Sequence, residues 1–555
     1  MIGTTSSKEV FFGDLHGHSD LSFDSYLFGN RLTLDDSFQV AKGEPVKSVL
    51  GEVIRLVTPL DFVAMTDHAE SFGMLEGCSD EGATQATLEL CQQLETPSFS
   101  FFMKLRNGAE RRPPYDPISD AMNDHEKLHR FANMTWKKIQ EITESHNNPG
   151  VFTTFLGYEY SPPLPDRGKH HRNVIFKNKS VPDNAISAFD AASEIDLWRE
   201  LEVTCKEPCE FITIPHNPNR SWGLAFASQT FDGVSYELND WKRRDAYEPI
   251  VEMFQVKGSS ECVIGFGTSD EECGFEQFYP VCEIGQETAC IKETSMVRNG
   301  LKNGLLMEET LGFNPMDFGL IGSTDTHNSN PGDTEENDFR GASGHLDANV
   351  KDRLEQTIFN NPGGLAAIWS VENTRDGLFE AIQRKEVYAT SGTRIKISFN
   401  LLMNNKQSNY PMGSSVSHNI LDNAAPIFKI WAEQDPNSAP LHKIQLIKGW
   451  TSGGKVFERV VNIICSDDCS GQSFFVDLND CSYDESQGLD KLEITWQDES
   501  YDPDQNVFYY IRVLEIPTCR WSTYDSLRSG TKLTNQAPST IKEMAWSSPI
   551  WIKKE

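Results

Sequence analysis

The chain has 555 residues, well beyond one ordinary domain, and 38% of them are hydrophobic. That is enough apolar material for packed cores, so global disorder is excluded. Lys and Arg total 50 against 82 Asp and Glu, a formal net charge of −32, which excludes the basic face that nucleic acid or anionic lipid requires.

In chain order, the N-terminal MIGTTSSKEV has no apolar stretch. It fits a cytoplasmic chain, or a periplasmic or secreted one whose signal peptide is not part of this sequence. No apolar run is long enough to span a membrane. After that, one pattern repeats. Short apolar runs end in polar residues that favour metals: 10–15 before His16-Gly17-His18, 62–66 before Asp67-His68, 152–158 before Glu159, 211–215 before His216, and 318–324 before Asp325-Thr326-His327. Continuous apolar runs of this length suit strands buried on both faces. Segments 48–56 and 125–145 read as helices between them. Strands alternating with helices predict an α/β barrel, with its chemistry at the C-terminal strand ends.

Two longer stretches, about 69–135 and 217–310, interrupt the pattern and would overhang that face. From Arg394 onward, period-two alternation takes over, as in Ile395-Lys396-Ile397-Ser398-Phe399 and in Val507, Tyr509, Ile511 and Val513. The expected organisation is a barrel over 8–393 and an antiparallel β-sandwich-like domain over 394–555. Trp521, Trp546 and Trp551 are expected to pack the second domain against the first.

The 12 cysteines form no CxxC motif. Their even number and close spacings, such as Cys205 to Cys209 and Cys465 to Cys469, suit disulfides in an oxidising compartment, with the full pairing left open.

His16 and His18 lie two apart on a strand end, so both imidazoles can face one ion. Imidazole with carboxylate suits zinc, iron or manganese. Ten of the 13 histidines lie at or before His327, most of them at strand ends. His125, His129 and His146, in a polar helical stretch, read as surface residues.

The segments GDLHGHSDLSFD, TDHAE, GYEYS, IPHN and STDTH resemble the PHP (polymerase and histidinol phosphatase) superfamily. FFGDLHGHS, GKHHRNVIF, YATSGTRI, PTCRWSTYD and AWSSPIW resemble a PHP-like bacterial group, domain-of-unknown-function family 3604. The resemblance covers nearly the whole chain. It implies a distorted (β/α)7 TIM-like barrel holding two or three divalent metal ions, and characterised PHP members hydrolyse phosphoesters. The matching metal ligands are His16, His18, His68, Glu159, His171 (or His170), His216, Asp325 and His327. Asp24 stands where many members have a third ligand, often histidine. Asp67 and Asp14 would orient these ligands. Glu159, Asp325 and His216 are the expected catalytic members. Anionic ligands offset repulsion between clustered cations, and a bridging hydroxide is the expected nucleophile.

Arg172, Arg220 and Lys257 are the candidate contacts for a small anionic substrate. The expected function is a metal-dependent hydrolase, foremost a phosphoesterase. The alternative is a hydrolase of an amide, lactone or other carboxyl-derived bond. A non-catalytic binding protein comes third. Cations around the metals would mark the phosphoesterase, and an apolar wall would mark the alternative.

Overall fold

A computed structural model describes residues 7–48, 51–110, 121–122, 124–266, 268–403, 409–421, 424–469, 471, 473–533 and 536–554. Strand β1 (Glu9–Asp14) leads to β2 (Phe62–Ala64), helices α1 (Phe99–Ala109) and α2 (His125–His146), and β3 (Thr153–Tyr160). Next come β4 (Arg172–Phe176), α3 (Glu194–Thr204), β5 (Phe211–Pro215), β6 (Ile250–Gln255), α4 (Val297–Leu311) and β7 (Gly319–Gly322). Strand β8 (Leu365–Ser370), helix α5 (Arg375–Gln383) and strand β9 (Val387–Thr390) complete this part. The remainder is nearly all strand: β10 (Lys396–Leu402), β11 (Ile427–Glu433), β12 (Leu441–Ser452) and β13 (Lys455–Cys465). Then follow β14 (Lys491–Gln497), β15 (Val507–Glu515), β16 (Met544–Ser547) and β17 (Ile550–Lys553).

The fold is mixed α/β around a large mixed sheet of 13 strands. Its central order is β15-β16-β9-β8-β1-β2-β3-β4-β5. Strands β1, β2 and β3 pair in parallel, and the last of these is buried along its whole length, as a strand covered on both faces must be. Strands β6 and β7 form a separate parallel pair, with β5 beside β6 and β7 beside β8 and β9.

The hydrogen bonding departs from the expected barrel of parallel strands. Strand β4 runs antiparallel to both β3 and β5, and β8 runs antiparallel to β1. Among the described residues, no ladder joins β5 to β6 or β7 to β8. The link from β3 to β4, residues 161–171, is too short for the crossover helix that parallel strands need. It forms a small hairpin instead, Pro163–Leu164 against Gly168–Lys169.

A second departure lies at 48–56. The described residues there belong to a small antiparallel pair, Val46–Lys47 with Val53–Ile54. Val46, Ile54 and Leu56 are buried while Lys47, Val53 and Arg55 are exposed, a period of two that no helix would bury. The segment from 125 is a helix as expected, and the Asp124 side chain caps it by accepting from Lys127 N. The arginine–proline stretch 111–114 lies outside the described residues.

In the C-terminal part, β10, β11 and β14 pair antiparallel. Their inward residues, including Phe399, Phe428, Ile430 and Leu492, share one hydrophobic cluster with Ile444, Tyr509, Ile511 and Val513 of the large sheet. Because β9 pairs with β16, that sheet runs without a break from the N-terminal strands into the C-terminal ones. Trp521, Trp546 and Trp551 are buried, which fits packing. No helix among the described residues is long and apolar enough to cross a membrane.

All 12 cysteines are paired: Cys78–Cys91, Cys205–Cys209, Cys262–Cys273, Cys282–Cys290, Cys465–Cys469 and Cys481–Cys519. Taken in chain order, the cysteines bond in consecutive pairs, the first with the second, the third with the fourth and so on. The last bridge spans 38 residues, the longest loop, and constrains the unfolded chain most. Replacing Cys481 and Cys519 together by serine is expected to lower stability by about 4 kcal/mol. Denaturant unfolding of the otherwise oxidised protein would measure it, and an unchanged midpoint would refute the loop-entropy account.

Candidate metal centre

Segments within, after or before strands β1, β2, β3, β4, β5 and β7 converge on one buried cluster. Asp14, at the end of β1, accepts from His16 N (3.1 Å), Thr324 N (3.1 Å) and Thr324 Oγ1 (2.6 Å). It thereby ties the His16-x-His18 segment to the segment after β7. Two backbone bonds complete the tie, His18 N to Thr326 O (2.8 Å) and Asp325 N to His16 O (2.9 Å). Asp67 does the same one strand along, accepting from Ser19 N, Ser19 Oγ and Ser22 Oγ at 2.7–2.9 Å. Ser22 Oγ lies 2.9 Å from His18 Nδ1. A hydroxyl that donates to Asp67 can only accept from His18, so Nδ1 carries the proton and Nε2 is left with a free lone pair. Asp14 and Asp67 therefore hold the segments that carry His16, His18 and Asp325.

The cluster divides into three overlapping groups whose ligand atoms lie within 4.8 Å of one another: His18, His68 and His327; His16, His18, Glu159 and Asp325; Glu159, His171 and His216. All eight residues are buried. Glu159 is the hub. Its Oε2 lies 3.1 Å from His16 Nε2, and its Oε1 lies 2.5 Å from His171 Nδ1 and 3.1 Å from His216 Nε2. Asp24 joins from the side, with Oδ2 at 3.1 Å from His327 Nε2 and 3.3 Å from His68 Nε2. His170, the alternative to His171, points elsewhere and meets Glu194 at 3.3 Å. His171 comes from the start of β4 rather than from a strand end, because that strand runs antiparallel to its neighbours.

Two observations test whether these residues fit a cation. His18 Nε2 and Asp325 Oδ1 are buried without a hydrogen-bond partner among the described residues, yet lie 3.3 Å apart. A cation between them would satisfy both atoms. The donor set of imidazole nitrogens and carboxylate oxygens is also the one that Zn, Mn and Fe take. The residues fit. The other close groups contain Cys262 with Cys273 and Cys465 with Cys469, whose sulfurs are spent in disulfides.

The electrostatics divide the cluster: burial opposes protonation of His16 and His68, but the neighbouring carboxylates outweigh it and raise both imidazoles. Burial opposes ionisation of Glu159, but His68, His216 and His171 outweigh it and hold its carboxyl well below the usual range. Burial likewise opposes ionisation of Asp325, and Lys257 and His16 outweigh it. Burial holds His171, His216 and His327 below the usual imidazole value, and only the neutral ring can coordinate. The backbone is held in the left-handed region at Asp325 (φ 56°) and Asn217 (φ 54°), conformations that residues other than glycine adopt under constraint.

The three expected substrate contacts part ways. Lys257 forms an ion pair with Asp325 Oδ2, which also accepts from Gln255 Nε2 at 2.7 Å. Arg220 lies over the Tyr279 ring at 5.4 Å. Arg172 is turned away into a buried pair with Glu248 at 2.8 Å, out of a ligand's reach.

Sequence reasoning missed Glu252 and Lys169. Glu252 lies on β6, inside the stretch taken for an interruption, and its Oε2 stands 2.8 Å from His16 Nδ1. A single carboxylate in the apolar run Ile250-Val251-Glu252-Met253-Phe254 was the available signal. The Lys169 side chain, two residues before His171, makes no hydrogen bond or ion pair among the described residues. Burial and the neighbouring Lys257 pull it down to about 7, against the attraction of Asp325 and Glu159.

A family described as "Protein of unknown function (DUF3604)" matches residues 5–554. An uncharacterized protein of Chlamydia pneumoniae is 22% identical over 511 residues. That match covers 91% of this chain and 61% of the relative, so the chain spans under two thirds of the relative's length. A solved two-domain protein from Bacteroides vulgatus, titled as containing a predicted PHP-like metal-dependent phosphoesterase, is 12% identical with a TM-score of 0.30. That alignment covers 89% of this chain and 98% of that one, and so low a score carries no argument.

Glu252 fixes the His16 ring and raises its basicity. Replacing Glu252 by glutamine is expected to weaken metal binding by about 10- to 100-fold with the fold retained. Metal titration by calorimetry or competition with a chelator would show it, and an unchanged affinity would remove Glu252 from the site.

Proposed function

The chain belongs to the family described as "Protein of unknown function (DUF3604)", and on that footing we propose that it is a metal-dependent hydrolase acting on phosphoesters. The observation that carries this is the run of three overlapping buried ligand groups sharing His18 and Glu159. The motif resemblance to PHP proteins supports it. The ring of strands supports a distorted barrel over about 8–393, followed by a β-rich part over 394–555.

Two or three divalent ions, of zinc, manganese or iron, would be held by His16, His18, Asp24, His68, Glu159, His171, His216, Asp325 and His327. When bound, such ions would acidify water and neutralise charge on the attacking and leaving oxygens. The chain's own residues do the rest. Glu159 and Asp325 supply the negative charge that lets cations sit close together. Lys257 and Gln255 hold Asp325 Oδ2 and so present Oδ1 to the cluster. Glu252 and Ser22 fix the tautomers of His16 and His18. His216 stands on the Glu159 side of the cluster and completes the catalytic group with Glu159 and Asp325.

Lys169 and Lys257 favour a phosphoester over an amide or lactone. Lys257, and Lys169 in its protonated form, place positive charge beside the candidate ligand carboxylates of a chain whose formal charge is −32, and an anionic phosphoryl group would meet that charge. The substrate is thus a small anionic molecule. The six disulfides support a secreted or periplasmic setting.

Elemental analysis paired with a panel of phosphomono-, di- and triesters and carboxyl esters tests the reading. Bound metal with phosphoester turnover is expected. Glu159→Ala and Asp325→Ala should each lower turnover by at least about 100-fold and reduce metal content without unfolding the protein. Full activity in either variant would overturn the metal-centre reading, and turnover confined to carboxyl esters would transfer it to the other bond class.

A further inference from the structure

Two unlike surfaces flank the cluster. One is cationic. Lys257 pairs with Asp325 Oδ2, and Lys169 lies within electrostatic reach of Lys257, Asp325, Glu159 and Arg220. The hairpin that carries Lys169 is pinned on both sides. Arg106 Nη2 donates to Leu164 O (2.9 Å) and Gly168 O (2.6 Å), and Trp222 Nε1 donates to Pro165 O (2.9 Å).

The other surface is aromatic. The Phe23 ring lies 5.8 Å from the His68 ring and stacks on Phe102 at 5.9 Å. Phe102 in turn lies 6.0 Å from Phe99 and 5.3 Å from Phe28. Phe23 and Phe102 are half-buried against a small hydrophobic cluster that includes Leu27, Met74 and Leu105, and Phe99 is 47% exposed. A continuous line of rings therefore runs from a candidate metal ligand out to solvent. Helix α1 ties the two surfaces together. Phe99, Phe102 and Arg106 fall at i, i+3 and i+7, one face of that helix, so the same face carries the aromatic line and grips the cationic hairpin.

We propose that the substrate is a phosphoester of an aromatic or similarly flat apolar alcohol, with its phosphoryl end toward Lys169 and its alcohol part lying along Phe23, Phe102 and Phe99. This deepens the phosphoesterase reading and rests on it. Hydrolysis forms a bond from water oxygen to phosphorus and breaks the bond from phosphorus to the alcohol oxygen, which leaves with a proton from that water. The aromatic line receives the part that leaves, and the lysines retain the anion.

Calorimetry on the manganese-loaded protein tests this with 1-naphthylphosphonate and methylphosphonate, which share the anionic head and differ in the ring. The naphthyl compound is expected to bind about tenfold more tightly or better. Phe102→Ser should bring the ratio to about threefold or less. Lys169→Met should weaken both ligands by about tenfold, leaving the ratio in place. Should Phe102→Ser unfold, Phe99→Ser at the exposed end decides, with a ratio at least halved. Equal binding of the two ligands by the unaltered protein, or an unchanged ratio in the folded Phe variant, overturns the proposal. Turnover of 1-naphthyl phosphate is measured alongside. Selective naphthyl binding with no ester hydrolysed would overturn the hydrolase reading and leave the aromatic surface standing.

Discussion

Burying a carboxylate is costly unless positive charge meets it, and this protein buries several in one place. Glu159, Asp325 and Asp24 stand among six imidazoles where solvent hardly reaches. The arrangement makes sense only if the surrounding groups, and the cations they can hold, repay that cost. The strands that deliver these ligands must therefore end within a few ångströms of one another. The backbone bonds that tie the end of β1 to the loop after β7 are what hold them there.

Behind the ligands stands a layer of groups that touch only other protein atoms. Asp14, Asp67, Glu252 and Gln255 each fix the segment, ring or oxygen in front of them, which is how a precise site is kept on a large fold. A similar device anchors the overhanging stretch after β6. Glu261 and Asp270 lie between Arg298 and Arg512, with all four contacts at 2.6–3.0 Å and fully buried. Tyr510 and Trp546 also donate to Glu261 at 2.7 and 2.8 Å. This network fastens the segment between β6 and α4 to strands β15 and β16. Among the described residues, none of the side chains of the C-terminal strands belongs to the candidate ligand groups that share His18 and Glu159.

Most of the candidate ligands were legible in the sequence because they stand where an apolar run stops, and such a run marks a buried strand whatever its direction. Direction itself was not legible. Nothing in the composition of 172–176 says that it runs against its neighbours; only the short link before it hints at this. The parallel barrel was accordingly too regular an expectation, and His171 entered from a strand start. Glu252 was hidden for a related reason. It belongs to a strand buried in what looked like an interruption, and its role exists only once β6 lies beside β7. The segment 48–56 reads as helix in the sequence although Val53–Ile54 pairs as a strand, because a short apolar segment fits either period until its burial is known.

The disulfides carry a consequence for how the chain matures. The cysteines are joined in consecutive pairs along the sequence, across spans of four to 38 residues. For a polypeptide that meets an oxidant as it emerges N-terminus first, the correct partner is always the next thiol to appear. Each crosslink can close before a competitor arrives, so simple vectorial oxidation reaches the native set without an isomerase to reshuffle it.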